Sequence, residues 1–144
     1  MTKDEKLKDT LSAVFRRKGR DGRYTRLFEN LDILQKDALM KEVRLEEGEL
    51  PVIGSIGDGE IWFILTTRRI VWDRKNQKQS ISNDEIRSAM PDLNEFGRNK
   101  HHLRELQITT ERNNQHTIEV EEGVPFYGVW NALRNLGARN RRKS

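Results

Sequence analysis

The sequence predicts an α+β domain in which two amphipathic helices precede an antiparallel β-meander and a third helix closes the fold. Apolar residues recur at helical spacing before residue 40 and again after residue 125. Between these regions they alternate with polar residues or form short β-branched and aromatic blocks bounded by Gly, Asn and Asp. Charged residues make up 35% of the chain and hydrophobic residues 34%, which indicates a small core under a very polar surface.

The length of 144 residues accommodates one domain of ordinary size with a short appendage. We divide it into a helical N-terminal extension (residues 1–42), a central domain (43–137) and a basic flexible tail (138–144). No apolar run approaches the roughly 20 residues that cross a bilayer, and the N-terminus lacks the apolar segment of a secretory signal. We therefore expect a soluble, cytoplasmic protein. The absence of cysteine excludes disulfides and thiolate metal sites.

Two helices are predicted in the N-terminal extension. Thr2 and Glu5 form a capping-box pattern for a first helix over residues 3–18. Thr25 is the predicted N-cap of a second helix over residues 26–40. The apolar stripes comprise Leu7, Leu11, Val14 and Phe15 in the first helix, and Leu27, Leu31, Leu34 and Ala38 in the second.

A β-meander is predicted from Val43 onward. The predicted strands cover residues 51–56, 60–66, 69–73, 79–82, 106–108 and 117–120, with turns at 57–59, 75–77 and 111–114. Residues 85–90 fit either a helical turn or a strand, and we take a turn followed by a short strand. Residues 91–102 form the longest irregular stretch. Trp62 and Trp72 are expected as core partners on adjacent strands, either of which can face outward.

A closing helix is predicted to begin at Pro125 and to end at Gly137, a favourable residue for a helix C-terminus. Its apolar stripe comprises Phe126, Val129, Trp130, Leu133 and Leu136. Trp130 is the expected buried anchor of this helix on the open end of a curved sheet.

Three features resemble the bacterial pleckstrin-homology-like (PH-like) domains. They are the acidic-glycine segment LEEGE at residues 45–49, the segment FILTTRRIVW at 63–72, and the helix after the last strand. The resemblance covers residues 43–137. It implies a strongly curved, seven-stranded antiparallel sheet or partial barrel plugged at one end by the helix. It also implies a platform that binds proteins, peptides or lipids and rarely acts as an enzyme.

The loop after the first strand argues against one activity of that family. Phosphoinositide binding in its eukaryotic members needs Lys and Arg around this loop, since a phosphorylated head group requires convergent cations. Here the loop covers residues 57–60 and contains Asp58 and Glu60. We therefore expect a protein or peptide partner instead of a phosphoinositide.

The net charge of +4 is distributed unevenly along the chain. Residues 1–23 carry +4, residues 24–133 carry −5 and residues 134–144 carry +5, so the body is acidic and the ends are basic. The candidate anion or partner contacts fall into three groups: Arg16, Arg17 and Lys18; Arg68, Arg69, Arg74 and Lys75; and Arg139, Arg141 and Arg142. A helix end, an edge strand and a solubilising tail are the competing structural explanations.

Catalytic and metal-binding patterns are weak in this sequence. The histidines are His101, His102 and His116, and no further ligand that would complete a metal site with them is identifiable. The chain lacks a nucleophile motif, and its three glycines at 54, 57 and 59 follow turn spacing and precede a strand. We therefore expect a protein without enzymatic activity, metal or cofactor.

The sequence thus favours a non-catalytic PH-like interaction module that binds a protein or peptide. The candidate surfaces are an exposed strand edge, the groove beside the closing helix, and the N-terminal helices, which need a surface to pack on because short helices are marginal alone. The runner-up is a nucleic-acid-associated protein that grips phosphate with its basic ends. A small immunity or inhibitor protein is a third alternative, and self-association stays open.

Overall fold

The computed structural model describes residues 1–57, 61–91 and 103–143. Within these ranges the chain forms three α-helices and eight β-strands. In chain order they are α1 (Lys3–Lys18), β1 (Thr25–Leu27), α2 (Ile33–Glu42), β2 (Pro51–Ile56), β3 (Trp62–Thr66), β4 (Arg69–Arg74), β5 (Gln77–Ser82), β6 (Ile86–Pro91), β7 (Glu105–Thr110), β8 (Gln115–Glu119) and α3 (Val124–Lys143). Short 3-10 turns at Phe28–Asn30 and Asn83–Glu85 precede α2 and β6.

The strands form two antiparallel sheets, which confirms the α+β class with a C-terminal helix. One sheet has the order β1-β2-β3-β4-β5 and the other the order β6-β7-β8. The described strands form no closed barrel. The PH-like resemblance implied seven strands, and the extra one, β1, comes from the N-terminal extension and pairs with β2.

The first helix agrees with its prediction at both ends. The Glu5 N–H donates to Thr2 Oγ1 at 3.0 Å, and the Thr2 N–H donates to Glu5 Oε1 at 3.1 Å. These reciprocal bonds satisfy donors that the first turn leaves unpaired. The local sequence therefore determines where α1 begins.

The predicted start of the second helix is wrong. Thr25 is not an N-cap: it begins β1, and its hydroxyl donates to Ser55 Oγ at 2.8 Å. Asp32 caps α2 instead, in a capping box with Gln35. Leu34, expected on the buried stripe, is 77% exposed.

A single carboxylate explains why the chain is extended at residue 25. Glu121, which follows β8, accepts backbone N–H bonds from Arg23 at 2.9 Å and from Tyr24 and Thr25 at 2.7 Å each. These three donors fix the segment entering β1 against the end of β8. A helix starting at Thr25 would lose this arrangement.

The predicted end of the closing helix is also wrong. Helix α3 continues through Gly137 to Lys143, so residues 138–143 of the expected tail are helical. A Cβ at Gly137 would lie 2.6 Å from the Arg87 carbonyl oxygen, so glycine here permits close packing on β6 instead of ending the helix. The Asn140 Nδ2 donates to the carbonyls of Asn83 and Ile86, each at 2.7 Å.

The described residues form two hydrophobic cores, one on each face of the larger sheet. Trp72 is buried in the main core, which lies between the sheets, α1 and α3, and its register partner is Phe63. Trp62 is buried in the second core, beneath α2. The two tryptophans are therefore on opposite faces of the sheet, and the expectation that they are partners is wrong.

The first and last helices pack together with opposite directions. Phe15 and Gly19, near the end of α1, contact Gly128, near the start of α3, while Leu7 and Leu136 line one cleft at the other end of the pair. A Cβ at Gly19 would lie 2.6 Å from the Gly128 Cα. The N-terminal helix thus docks on the domain and contributes to its core.

Trp130 is less buried than expected. Its ring packs against the main core but is only partly buried, and its Nε1 donates to the Ala89 carbonyl at 2.8 Å. Phe126, Val129 and Leu133 are the fully buried residues of the same stripe. No helix within the described ranges is long and apolar enough to span a bilayer.

Candidate functional site

A cleft lies where the start of α1 meets the end of α3. Its floor is formed by the start of β4, the end of β5 and the 3-10 turn Asn83–Glu85. The cleft has a volume of about 660 Å³. We call it the α1–α3 groove, and its main lining residues are Lys3, Lys6, Arg68, Ser82, Arg139 and Lys143.

Basic residues dominate the lining of the α1–α3 groove. Six basic side chains line it against three acidic ones, Asp4, Glu46 and Asp84. Four of these six basic residues, Lys3, Lys6, Arg139 and Lys143, are exposed and form no ion pair with any described residue. Because two come from α1 and two from α3, the basic character depends on the antiparallel docking of the two helices.

Arg68 is one of the predicted contacts, and it is held by Asp4 at the groove wall. Its Nη2 lies 3.2 Å from Asp4 Oδ2 and donates to the Glu47 carbonyl at 2.9 Å. The Thr67 hydroxyl donates to Asp4 Oδ1 at 2.6 Å. Hydrogen bonds from Arg68 and then Thr67 lower the pKa of the Asp4 carboxyl below its ordinary value.

Arg69 is engaged more tightly, with the buried carboxylate of Glu49. Its Nε donates to Glu49 Oε2 at 2.9 Å and its Nη2 to Oε1 at 3.2 Å. The Thr66 hydroxyl and the Glu46 N–H also donate to this carboxylate, at 2.5 and 2.8 Å. Burial raises the pKa of Glu49, but these hydrogen bonds outweigh it, so the pKa is lowered overall.

Arg68 and Arg69 therefore line the groove as paired residues. Their guanidinium groups tie α1 and the segment before β2 to the β3–β4 turn. The sequence places both arginines on the correct hairpin but gives no sign of their carboxylate partners, which lie 64 and 20 positions away. The positively charged groups available to a partner come from the neighbouring helices.

The other two basic residues of that predicted group lie at the far end of β4. Arg74 Nη1 donates to the Thr117 carbonyl at 3.2 Å and lies 3.9 Å from Glu105 Oε2. Lys75 is exposed in the β4–β5 turn with a φ of 53°. A six-residue strand is about 17–20 Å long, so the structure does not bring these residues together with Arg68 and Arg69.

The two basic ends of the chain are likewise separated. Arg16, Arg17 and Lys18 are exposed in the last turn of α1, beside the start of α3. Arg139 lines the α1–α3 groove at the opposite end of the helix pair. Thirteen helical residues span about 20 Å, so the predicted N-terminal cluster does not join this groove.

The remaining predicted contacts lie in the last turn of α3. Arg141 donates to the Arg87 carbonyl, and Arg142 Nε donates to the Ala138 carbonyl at 3.4 Å. Like Lys143, the groove residues Lys3 and Lys6 were not among the predicted contacts. Their spacing of three, which places residues on one helix face, was the available signal.

Two other predictions concern the three histidines and the loop that contains Asp58 and Glu60. The Asp58 and Glu60 loop and the His101–His102 pair lie outside the described residues. The His116 ring packs edge-on against Trp72 with 5.7 Å between ring centroids. Among the described residues, no three His, Asp or Glu side chains are grouped to hold a metal ion.

Comparisons with known proteins do not add a family. No family model matches the chain, no curated protein matches it, and no solved structure matches it. The PH-like resemblance therefore stays a prediction from residues 45–49 and 63–72 and from the closing helix.

Proposed function

We propose that this protein is a non-catalytic, PH-like interaction module that binds an acidic segment of a protein partner in the α1–α3 groove. The observation that carries the proposal is the convergence of Lys3, Lys6, Arg139 and Lys143 on one cleft of about 660 Å³. None of these four cations forms an ion pair with another described residue. Carboxylates on a partner supply the missing counter-charges.

The distribution of charge favours a polypeptide over a nucleic acid. Duplex binding needs a basic face that follows the phosphate backbone over several contacts. Here the groove cations and the Arg16–Lys18 cluster lie at opposite ends of the helix pair, and residues 24–133 carry −5. A short acidic segment matches the size of the groove better than a duplex.

The groove also accords with the surfaces expected from the sequence. It lies beside the closing helix, it includes the N-terminal helix, and the outer strand β5 borders it. One site therefore combines the three candidate surfaces of an interaction module.

The proposal is tested with a labelled oligoglutamate peptide, followed by fluorescence anisotropy. We expect Lys6→Glu combined with Lys143→Glu to weaken binding by about tenfold or more, because two charge contacts become repulsive. The matched control is Arg16→Glu combined with Arg17→Glu, which makes the same change in net charge at the far end of α1. We expect this control to change the affinity by less than about twofold.

Three outcomes contradict the proposal. One is the absence of peptide binding by the wild-type protein at low salt. Another is an equal loss of binding in both double variants, which indicates a general charge effect. A third is tighter binding of a DNA duplex, with a steep dependence on salt, which supports the nucleic-acid alternative.

A further inference from the structure

Within the described part of the chain, the outer edge of β5 is unpaired, and it borders the α1–α3 groove. β5 is the last strand of its sheet, so one side of its backbone has no strand partner among the described residues. Ser80 and Ser82, both exposed, line the groove directly. Both side chains are small.

The register determines which backbone groups point outward. The Asn83 N–H donates to the Arg68 carbonyl at 2.8 Å. Because inward and outward groups alternate along an antiparallel strand, residues 77, 79 and 81 bond to β4. The N–H and C=O groups of Lys78, Ser80 and Ser82 therefore point away from the sheet.

The usual protection of an edge strand is missing here. β5 contains no proline, and its pairing with β4 has no bulge. Its one lysine, Lys78, turns away to α2, where its Nζ donates to the Glu42 carbonyl at 2.6 Å and lies 3.4 Å from Glu42 Oε2. Among the described residues, no side chain prevents a further strand from pairing with β5.

We propose that the acidic partner segment binds in an extended conformation, as an additional strand on the free edge of β5. This inference rests on the proposed function. Backbone hydrogen bonds to Ser80 and Ser82 hold the segment, while its carboxylates meet the cations of α1 and α3. The edge selects an extended backbone, and the groove selects negative charge.

A second copy of this chain fits the β5 edge less well than an acidic segment does. Pairing of two β5 edges brings two basic grooves close together, and like charges repel. An acidic segment has the complementary charge. A concentration-dependent dimer through β5 is therefore an outcome that overturns the proposal.

The first test changes the protein at one backbone donor. Ser80→Pro removes an N–H that points away from β4, whereas Ser80→Ala keeps it and removes only the hydroxyl. We expect Ser80→Pro to weaken oligoglutamate binding by about tenfold and Ser80→Ala to change it by less than about twofold. Thermal melting of both variants checks that the fold is retained.

The second test leaves the protein unchanged and alters the peptide. An oligoglutamate N-methylated at alternate residues keeps its charge but loses the donors that pair with a strand edge. We expect it to bind about tenfold more weakly than the unmodified peptide. We also expect the unmodified peptide to slow amide hydrogen exchange at Ser80 and Ser82. This test applies even if Ser80→Pro does not fold.

The outcomes separate this inference from the proposed function. If the N-methylated peptide binds as well as the unmodified one, and exchange at Ser80 and Ser82 is unchanged, strand addition is wrong. The proposed function still stands in that case, provided that Lys6→Glu with Lys143→Glu weakens binding. Loss of that charge dependence contradicts the proposed function itself. Protection of the same amides that rises with protein concentration, without peptide, assigns the edge to a second copy.

Discussion

Arg69 and Glu49 form a bidentate ion pair across the start of β4, with 2.9 Å between Nε and Oε2 and 3.2 Å between Nη2 and Oε1. The Glu49 side chain is fully buried, whereas that of Arg69 is 28% exposed. The Thr66 hydroxyl and the Glu46 N–H donate two further hydrogen bonds to this carboxylate. The pair fixes the segment before β2 against the β3–β4 hairpin.

Removing the arginine of this pair is expected to be costly. Arg69→Met leaves the Glu49 carboxylate buried without its main counter-charge, so we expect a loss of about 3 kcal/mol in the free energy of unfolding. Urea denaturation at neutral pH measures it. The control is Arg68→Met, whose partner Asp4 is more exposed, and we expect a clearly smaller loss there. Equal losses in the two variants contradict this difference.

The lowered pKa values of Glu49 and Asp4 predict acid sensitivity. Folding lowers each carboxyl pKa below its ordinary value of 4.5 for Glu49 and 3.8 for Asp4. Their stabilisation is therefore complete above those values and is lost as the pH falls through the folded-state pKa. We expect the melting temperature to drop below pH 4.5 more steeply for the wild-type protein than for Glu49→Gln. Parallel curves for the two proteins contradict the assignment to Glu49.

Trp130 is expected to matter less for stability than its size suggests. Because the ring is only partly buried, we expect Trp130→Ala to cost about 2–3 kcal/mol, including the bond to the Ala89 carbonyl. Phe126→Ala, at a fully buried position of the same stripe, is expected to cost about 3–5 kcal/mol. Urea denaturation ranks the two. The reverse order contradicts this account of the helix contact.

Truncation after Ala138 is expected to lower the melting temperature, because it removes three hydrogen bonds between α3 and the β6 region. The Asn140 amide bonds to two backbone carbonyls, and Arg141 bonds to a third. Asn140→Ala alone is expected to cost about 1–2 kcal/mol, since it leaves partly buried acceptors unpaired. Arg142→Ala is the control, since the one hydrogen bond of its side chain to a described residue lies within its own helix. An unchanged melting temperature after truncation supports the flexible tail that the sequence suggested.

The elements predicted correctly are those determined by neighbouring residues. The capping box of Thr2 and Glu5 places α1, and strand β2 follows from its own short apolar run. The helix start expected at Thr25 fails because Glu121, 96 positions later, accepts its N–H. The helix end expected at Gly137 is wrong because the glycine is there to let α3 pack closely on the Arg87 carbonyl. Both failures come from contacts distant in sequence, which no local pattern records.

The candidate site was predictable only in part for the same reason. Arg139 and the β3–β4 arginines were recognisable as basic groups in the sequence. Their convergence with Lys3 and Lys6 depends on α1 lying antiparallel to α3, and the two helices are more than 100 residues apart. The sequence therefore identifies basic residues, and the packing of the helices determines which of them share a surface.

The packing of α1 on α3 also has a consequence for synthesis on the ribosome. Leu11 and Phe15 are fully buried in the folded protein, and Phe15 contacts Gly128 of α3. Helix α1 ends at Lys18 and α3 begins at Val124. At a translation rate of about 5–20 residues per second, α3 is synthesised on the order of ten seconds after α1. During that interval the nascent chain exposes an apolar helix face. We therefore expect newly made α1 to need shielding from other chains until α3 emerges.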